Sequence, residues 1–284
     1  MWETNTGDCD VPRTGNVMVN WKIRWAINAW LSDATTAEAA YGHISTWETG
    51  GVAHCVEIKL SRRLPESMAP DAQVTDMSDL FYVCSIDDNF VEICSSFNDD
   101  IGAWDTSEVT NMEQMFLGAA FNRPLGGWRV DEVTSMRAMF SSASFNQDIG
   151  SWAVDNVTDM TSMFSRASAF NRPIGSWKVD AVTSMNSMFY LATSFNRQLS
   201  GWSVDNVVDL GSAFGWASSF NQDLGDWRLN SVTNMEAMFY KASVFNQNLG
   251  WCLDDDVNLG SYAFVDSSCA STSCGVGVKD VSCA

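Results

Sequence analysis

The chain has 284 residues, with 16 Lys and Arg against 35 Asp and Glu, a net charge of −19. That sign argues against DNA or RNA as a partner, because phosphates require a basic face. No apolar run approaches the roughly 18 residues of a spanning helix, so no membrane span is expected.

Residues 1–46 read as an N-terminal cap. "MWETNTGDCD" shows no secretory leader pattern, and a leader is expected to have been removed or to lie outside this numbering. Residues 24–40, "RWAINAWLSDATTAEAA", place Trp25, Ile27, Trp30 and Leu31 among small and polar residues. The spacing predicts one amphipathic helix whose aromatic face covers the first coil of a repeat array. His43 and His54 are the only histidines, and both read as surface or packing residues.

The array itself runs from 47 to 264. "SFNQDIGSW" at 144–152 returns as "AFNRPIGSW" at 169–177, "SFNRQLSGW" at 194–202 and "SFNQDLGDW" at 219–227. Phe-Asn pairs begin at Phe97, Phe121, Phe145, Phe170, Phe195, Phe220 and Phe245, in steps of 24, 24, 25, 25, 25 and 25. A second phrase keeps the same step, as in "VTSMRAMF" ending at Phe140 and "VTDMTSMF" at Phe164; "VVDLGSAF" at 207–214 is degenerate. A period of this length means a repeat solenoid, in which each unit closes its core only against its neighbours. Trp47, in "ISTWETGGV", falls in the Trp row. Two insertions interrupt the N-terminal side, at 55–70 and at 82–95. The first reads as a loop or edge hairpin carrying Arg62 and Arg63.

Within one unit, "VTDMTSMFSRASAFNRPIGSWKVDA" at 157–181, Val157, Met160, Met163 and Phe164 predict a short helical face. Thr158 is placed to cap that turn. The Met and Trp rows are core. The asparagines that follow each Phe (Asn98, Asn122, Asn146, Asn171, Asn196, Asn221 and Asn246) are expected to be buried and to bond backbone groups of adjacent coils as a ladder. Pro124 and Pro173 open a short extended stretch that turns at Asp180.

Residues 265–284 form a Cys-rich C-terminal cap. Eight cysteines avoid the regular coils: Cys9 and Cys55, Cys84 and Cys94, then Cys252, Cys269, Cys274 and Cys283. An even count at the weak points of an array reads as disulfides, hence an oxidising compartment. Zinc competes poorly, since there is no CxxC pair. Cys55 is assigned to Cys9, and Cys84 to Cys94 across the base of the second insertion. At the C-terminus Cys252–Cys269 with Cys274–Cys283 is preferred among three pairings. Asn156, in "NVT", is one N-glycosylation acceptor sequence.

"VTNMEAMFYKASVFNQNLGW" resembles the BspA-type leucine-rich repeat, also called the surface-protein 26-residue repeat or DUF285 domain, over residues 74–264. The flanks are similar to secreted members in marine microalgae. The resemblance implies a leucine-rich-repeat-like solenoid of short strands and short helical turns, with a role at the cell exterior and no catalytic residue.

Candidate contact residues lie on two variable rows. After Phe-Asn stand Asp99, Arg123, Gln147, Arg172, Arg197, Gln222 and Gln247; after Trp stand Asp105, Arg129, Ala153, Lys178, Ser203, Arg228 and Cys252. They make a mixed-charge strip suited to an acidic protein or glycan. Asp131, Asp155, Asp180 and Asp205 occupy one position in successive coils; local turn bonding is the first reading and a calcium ladder the second. No other cofactor is expected. The function read here is a non-enzymatic extracellular structural or adhesive protein, in one version a filament or appendage subunit. A secreted carbohydrate-binding module is the alternative. Arg62 and Arg63 facing the run Asp254, Asp255 and Asp256 suggest head-to-tail self-association.

Overall fold

The structure, a computed structural model, describes residues 16–49, 74–82, 84–86, 92–94, 96–269 and 273–278. Cys9, Cys55, His54, Arg62, Arg63 and Cys283 lie outside the described residues, as does the whole of the 55–70 insertion.

The cap holds two helices where one was expected, α1 (Asn20–Ser32) and α2 (Ala34–Tyr41). Asp33 separates them. Its Oδ1 accepts the Thr36 N–H at 3.2 Å and its Oδ2 accepts the Thr36 hydroxyl at 2.6 Å. An aspartate that satisfies free N–H groups starts a helix more readily than it continues one. Those bonds also hold its carboxyl below the usual range. Ile23, Ala26, Ile27 and Trp30 form the buried face, whereas Trp25 is 55% exposed. Five residues along a helix is about 140° of rotation, so Trp25 and Trp30 cannot share one face. Lys22 is buried in α1, and burial lowers its pKa to about 8.

α1 stands where a preceding coil would be. Asn20 Oδ1 accepts the N–H groups of Thr75 and Asp76, at 2.9 and 3.3 Å. Arg24 donates to the Ser78 carbonyl at 2.8 Å and to Asp76 Oδ2 at 3.1 Å. Polar side chains of the helix thus satisfy backbone groups that the first coil would otherwise leave open.

Eight coils then stack through parallel bridges, one per step: Asp76, Asn111, Ser135, Asp159, Ser184, Asp209, Asn234 and Asn258. The stretch expected to be helical contains no helix. Met163 N–H bonds Met160 O and Ala167 N–H bonds Phe164 O, two successive tight turns. Between those bonds, alternate N–H groups point to the next coil: Met160 to Ser184 O, Ser162 to Asn186 O, Phe164 to Met188 O and Arg166 to Tyr190 O, at 2.6–3.0 Å. A helix would turn those donors inward on itself; the stack uses them between coils. The geometry requires two left-handed residues per coil, here Ser162 (φ 56°) and Arg166 (φ 59°). Thr158 does not cap this turn. Its hydroxyl reaches back to the Thr134 carbonyl at 3.2 Å, and the next residue, Asp159, accepts the Thr161 N–H at 2.8 Å.

Three aromatic columns run through the core. In the first seven coils two phenylalanines stack face to face, as Phe164 and Phe170 do at 3.9 Å, and these continue upward, to Phe189 at 5.8 Å and to Phe195 at 6.0 Å. The Trp column begins with Trp47 on Trp104 at 6.2 Å. Every indole donates to a carbonyl of the coil or cap segment before it, from Trp104 on Ile44 O to Trp251 on Leu224 O, at 3.0–3.1 Å. With Trp177 2% exposed, these rings are core and not a surface platform.

The second insertion is an antiparallel pair, β1 (Cys84–Ile86) with β2 (Glu92–Cys94), in register Cys84 opposite Cys94. At the other end β3 (Cys252–Leu253) pairs in parallel with β4 (Gly277–Val278), and Leu249 N–H bonds Cys274 O at 2.7 Å. The tail therefore supplies one more rung. Cys269 is bonded to Cys274, so the preferred pairs Cys252–Cys269 and Cys274–Cys283 are both incorrect. Cys269 and Cys274 are buried on either side of the reversal that returns the tail, with Cα atoms 5.8 Å apart, while Cys252 is disulfide-bonded but sits exposed on the flank. Gly275, at φ 70°, lies against Asn248, where any Cβ would collide with its side chain.

Candidate interaction surface

The asparagine row forms a ladder, but not a buried one. Each Oδ1 accepts the backbone N–H of the next asparagine: Asn98 from Asn122, Asn122 from Asn146, Asn146 from Asn171, Asn171 from Asn196, Asn196 from Asn221 and Asn221 from Asn246, at 2.9–3.1 Å. All seven side chains are half-buried or exposed. The amide needs only one face against the neighbouring coil to make its bond, so the flank stays in contact with water.

The residue after each asparagine lies back along this ladder. Arg123, Arg172 and Arg197 donate Nε–H to the carbonyls of Asn98, Asn146 and Asn171, at 2.8, 2.7 and 2.9 Å. Gln147 and Gln247 use Nε2 on the carbonyls of Asn122 and Asn221, both at 3.1 Å, and Gln222 on Asn196 Oδ1 at 2.7 Å. Asp99 instead accepts the Trp30 indole at 2.7 Å, which fastens the cap to the first Phe-Asn coil.

The other variable row and the Asp row meet on one flank. Arg129 forms a two-point pair with Asp131, at 3.2 and 2.8 Å; the bond raises the arginine pKa and lowers the carboxyl. Lys178 pairs with Asp155 at 3.2 Å, and Ser203 donates to Asp205 at 3.1 Å. Asp180 differs, its backbone carbonyl accepting Asn206 Nδ2 at 2.7 Å. Asn156 is exposed, with its Nδ2 bonded to the Asp131 carbonyl at 2.6 Å. His43 starts the 3-10 turn at Ile44–Thr46, its ring against Trp30 at 5.3 Å.

A further surface was missed in the sequence. The two positions after the second-phrase Phe form the outer corner of each coil, and the second is left-handed. Along the chain the pairs read Leu117-Gly118, Ser141-Ser142, Ser165-Arg166, Tyr190-Leu191, Gly215-Trp216 and Tyr240-Lys241. Small and polar side chains give way to aromatic ones at Tyr190. Trp216, 37% exposed, meets Tyr240 edge-on at 6.0 Å, and Tyr240 meets Tyr262, 53% exposed, at 5.7 Å. Lys241 Nζ lies 4.2 Å above the Trp216 ring, a cation–π contact. A Cβ at Gly215 would come within 3.1 Å of the Tyr190 ring, a tight contact that glycine avoids. The visible clue was the degenerate unit at 207–216, whose apolar Val208 and Trp216 point outward.

Among the described residues no group of three or more His, Cys, Asp or Glu is placed to hold a metal ion, and no helix is long and apolar enough to cross a membrane. The DUF285 family, described as a Mycoplasma protein of unknown function, matches residues 84–196 and 171–271. The chain belongs to the DUF285 family. No curated protein and no solved structure matches it. The family covers the coils from the second insertion to the first C-terminal cysteine of the tail, so the corner strip lies wholly inside it.

Proposed function

We propose that this DUF285 protein is a non-enzymatic extracellular solenoid, leucine-rich-repeat-like in organisation, that makes adhesive or structural contact with a protein partner through its aromatic corner strip. The observation that supports this most is the contrast along the corner row. The core rows largely hold their residues from coil to coil, while the corner row changes from serine to tyrosine and tryptophan, with the partly exposed Trp216 edge-on to Tyr240 and beneath Lys241. Rigid, partly exposed aromatics supply contact area with little loss of side-chain entropy, and they dominate protein interfaces. The disulfide at Cys269–Cys274 fits an oxidising exterior.

The test places a photo-crosslinking side chain at Trp216 and, separately, at Ser142, the same corner position in a polar coil. Both proteins are made in the native cell and illuminated with the cells intact. Adducts with a cell-exterior protein from position 216 and none from 142 support the reading. Equal adducts, none at all, or a protein inaccessible to antibody on intact cells overturns it. Negative-stain micrographs decide the fibre version, which requires a regular helical assembly.

A further inference from the structure

We propose that Arg123, Arg172 and Arg197, with the glutamines between and beyond them, form a binding site for a linear acidic polysaccharide lying along the stack. The idea goes beyond the function above, since it uses a different row of side chains and a different class of ligand.

Each of these arginines is fixed by its Nε–H on an asparagine carbonyl of the preceding Phe-Asn coil. A guanidinium has five N–H donors. The four on the two Nη nitrogens make no hydrogen bond to any described residue, and all three side chains are exposed. The forks are therefore preset in a common orientation with their charged donors toward solvent. A ligand need not pay the full cost of ordering them.

Charge gives an independent indication. Arg24, Arg129, Arg137 and Lys178 each have a carboxylate partner at 2.8–3.2 Å. Arg123, Arg172 and Arg197 have none among the described residues, as is also true of Arg166 and Arg228, but only these three share one row. The next position in the chain follows suit: Pro124, Pro173 and Gln198 come after the arginines, whereas Asp100, Asp148 and Asp223 come after Asp99, Gln147 and Gln222. Those aspartates are turned to the N–H groups of Gly102, Gly150 and Gly225, at 2.9 Å each. In a chain of net charge −19, these three cations therefore stand without an ion pair to any described carboxylate.

The glutamines define the ligand further. Gln147, Gln222 and Gln247 use Nε2 on the ladder, as the arginines use Nε, and their Oε1 atoms make no hydrogen bond to any described residue and stay available as acceptors. One line of side chains so presents anion-binding forks and hydroxyl-accepting carbonyls, repeated at a coil spacing of about 4.8 Å. Sulfated or uronic polysaccharides carry oxyanions and hydroxyls together at regular intervals. An acidic peptide has the carboxylates without the regular hydroxyls.

The full disulfide-bonded chain is titrated with dextran sulfate, polyuronate, neutral dextran and polyglutamate. Binding to dextran sulfate or to polyuronate is expected, weakening as salt rises; which of the two binds identifies sulfate or carboxylate as the anion. The triple variant Arg123→Gln, Arg172→Gln, Arg197→Gln should lose about tenfold in affinity, as three exposed ion pairs predict. Its fold is protected because glutamine already makes the same carbonyl bond at two coils, and a bond to the asparagine side chain at a third. Gln147→Arg should tighten binding by completing a run of forks from 123 to 197. No binding to either acidic polysaccharide, equal binding to neutral dextran, or affinity unchanged in the variants overturns the proposal. So does polyglutamate binding as tightly with the same arginine dependence, which would assign the row to an acidic protein. None of these outcomes bears on crosslinking at Trp216.

Discussion

The asparagine flank and the corner strip are two sides of the same coils, built under opposite constraints. On the flank each coil needs a side chain that accepts one N–H from above, at a fixed distance from its own backbone. Asparagine meets that need, and it stands at every one of the seven positions. At the corner the neighbouring coils join through backbone N–H and C=O groups alone, as Arg166 to Tyr190 O and Leu191 to Gly215 O show. The side chain there is released from the ladder. Glycine, serine, arginine, leucine, tryptophan and lysine all occupy the left-handed corner position. Uniformity marks where side chains hold the stack, and variety marks where they are free to meet something else.

Breaking the stack beneath both surfaces should have the largest effect. Trp177→Ala removes a core ring and leaves the Ile149 carbonyl without its indole donor, and it should cost about 3–5 kcal/mol in denaturant unfolding. A loss under about 1 kcal/mol would mean that the Trp column is not what joins the coils.

The cap offers a control that neither flank shares, because its stability should depend on pH. Lys22 titrates near 8 in the folded chain against 10.5 ordinarily. Between those values the unfolded chain binds more protons, so stability should rise with pH from about 8 to 10.5 and be flat below. The amplitude is on the order of 1–3 kcal/mol. Lys22→Met should abolish the rise in midpoints measured across that range; its persistence would assign the titration elsewhere.

The flank itself is probed by Asn171→Ala, which deprives the Asn196 N–H of its acceptor and should cost about 1 kcal/mol. Asn171→Asp keeps an oxygen in that place and should restore most of the loss above the carboxyl pKa. Equal losses in the two variants would show that the bond is not the source of the effect.

The smallest effect belongs to the corner and has the opposite sign. Leu191 is held at φ 58°, where glycine is at ease and a Cβ is not. Relief of that strain, less the extra entropy of glycine in the unfolded chain, should make Leu191→Gly more stable by about 0.5 kcal/mol. Leu191→Ala should gain nothing, and a gain there would remove backbone strain as the explanation.

The period of 24–25 residues, the invariant Phe, Asn and Trp and the placement of the cysteines outside the coils were legible in the sequence. Residues at one position of each repeat must meet their copies above and below, and so the Trp row appeared as a core column and the Asn row as a ladder. What the sequence could not decide is which neighbour each polar group would choose. Thr158 has the same hydroxyl whether it caps its own turn or reaches the carbonyl of Thr134, and only the position of that carbonyl settles the matter. The Met-Phe spacing suits a helix as well as it suits two tight turns. The turns prevail because they send alternate N–H groups to the next coil, a gain that exists only once the coils are stacked. The corner strip and the Cys269–Cys274 pairing share that origin. Trp216, Tyr240 and Tyr262 are far apart in the chain and come together only across successive coils, and the direction in which the tail returns decides which sulfur lies beside which.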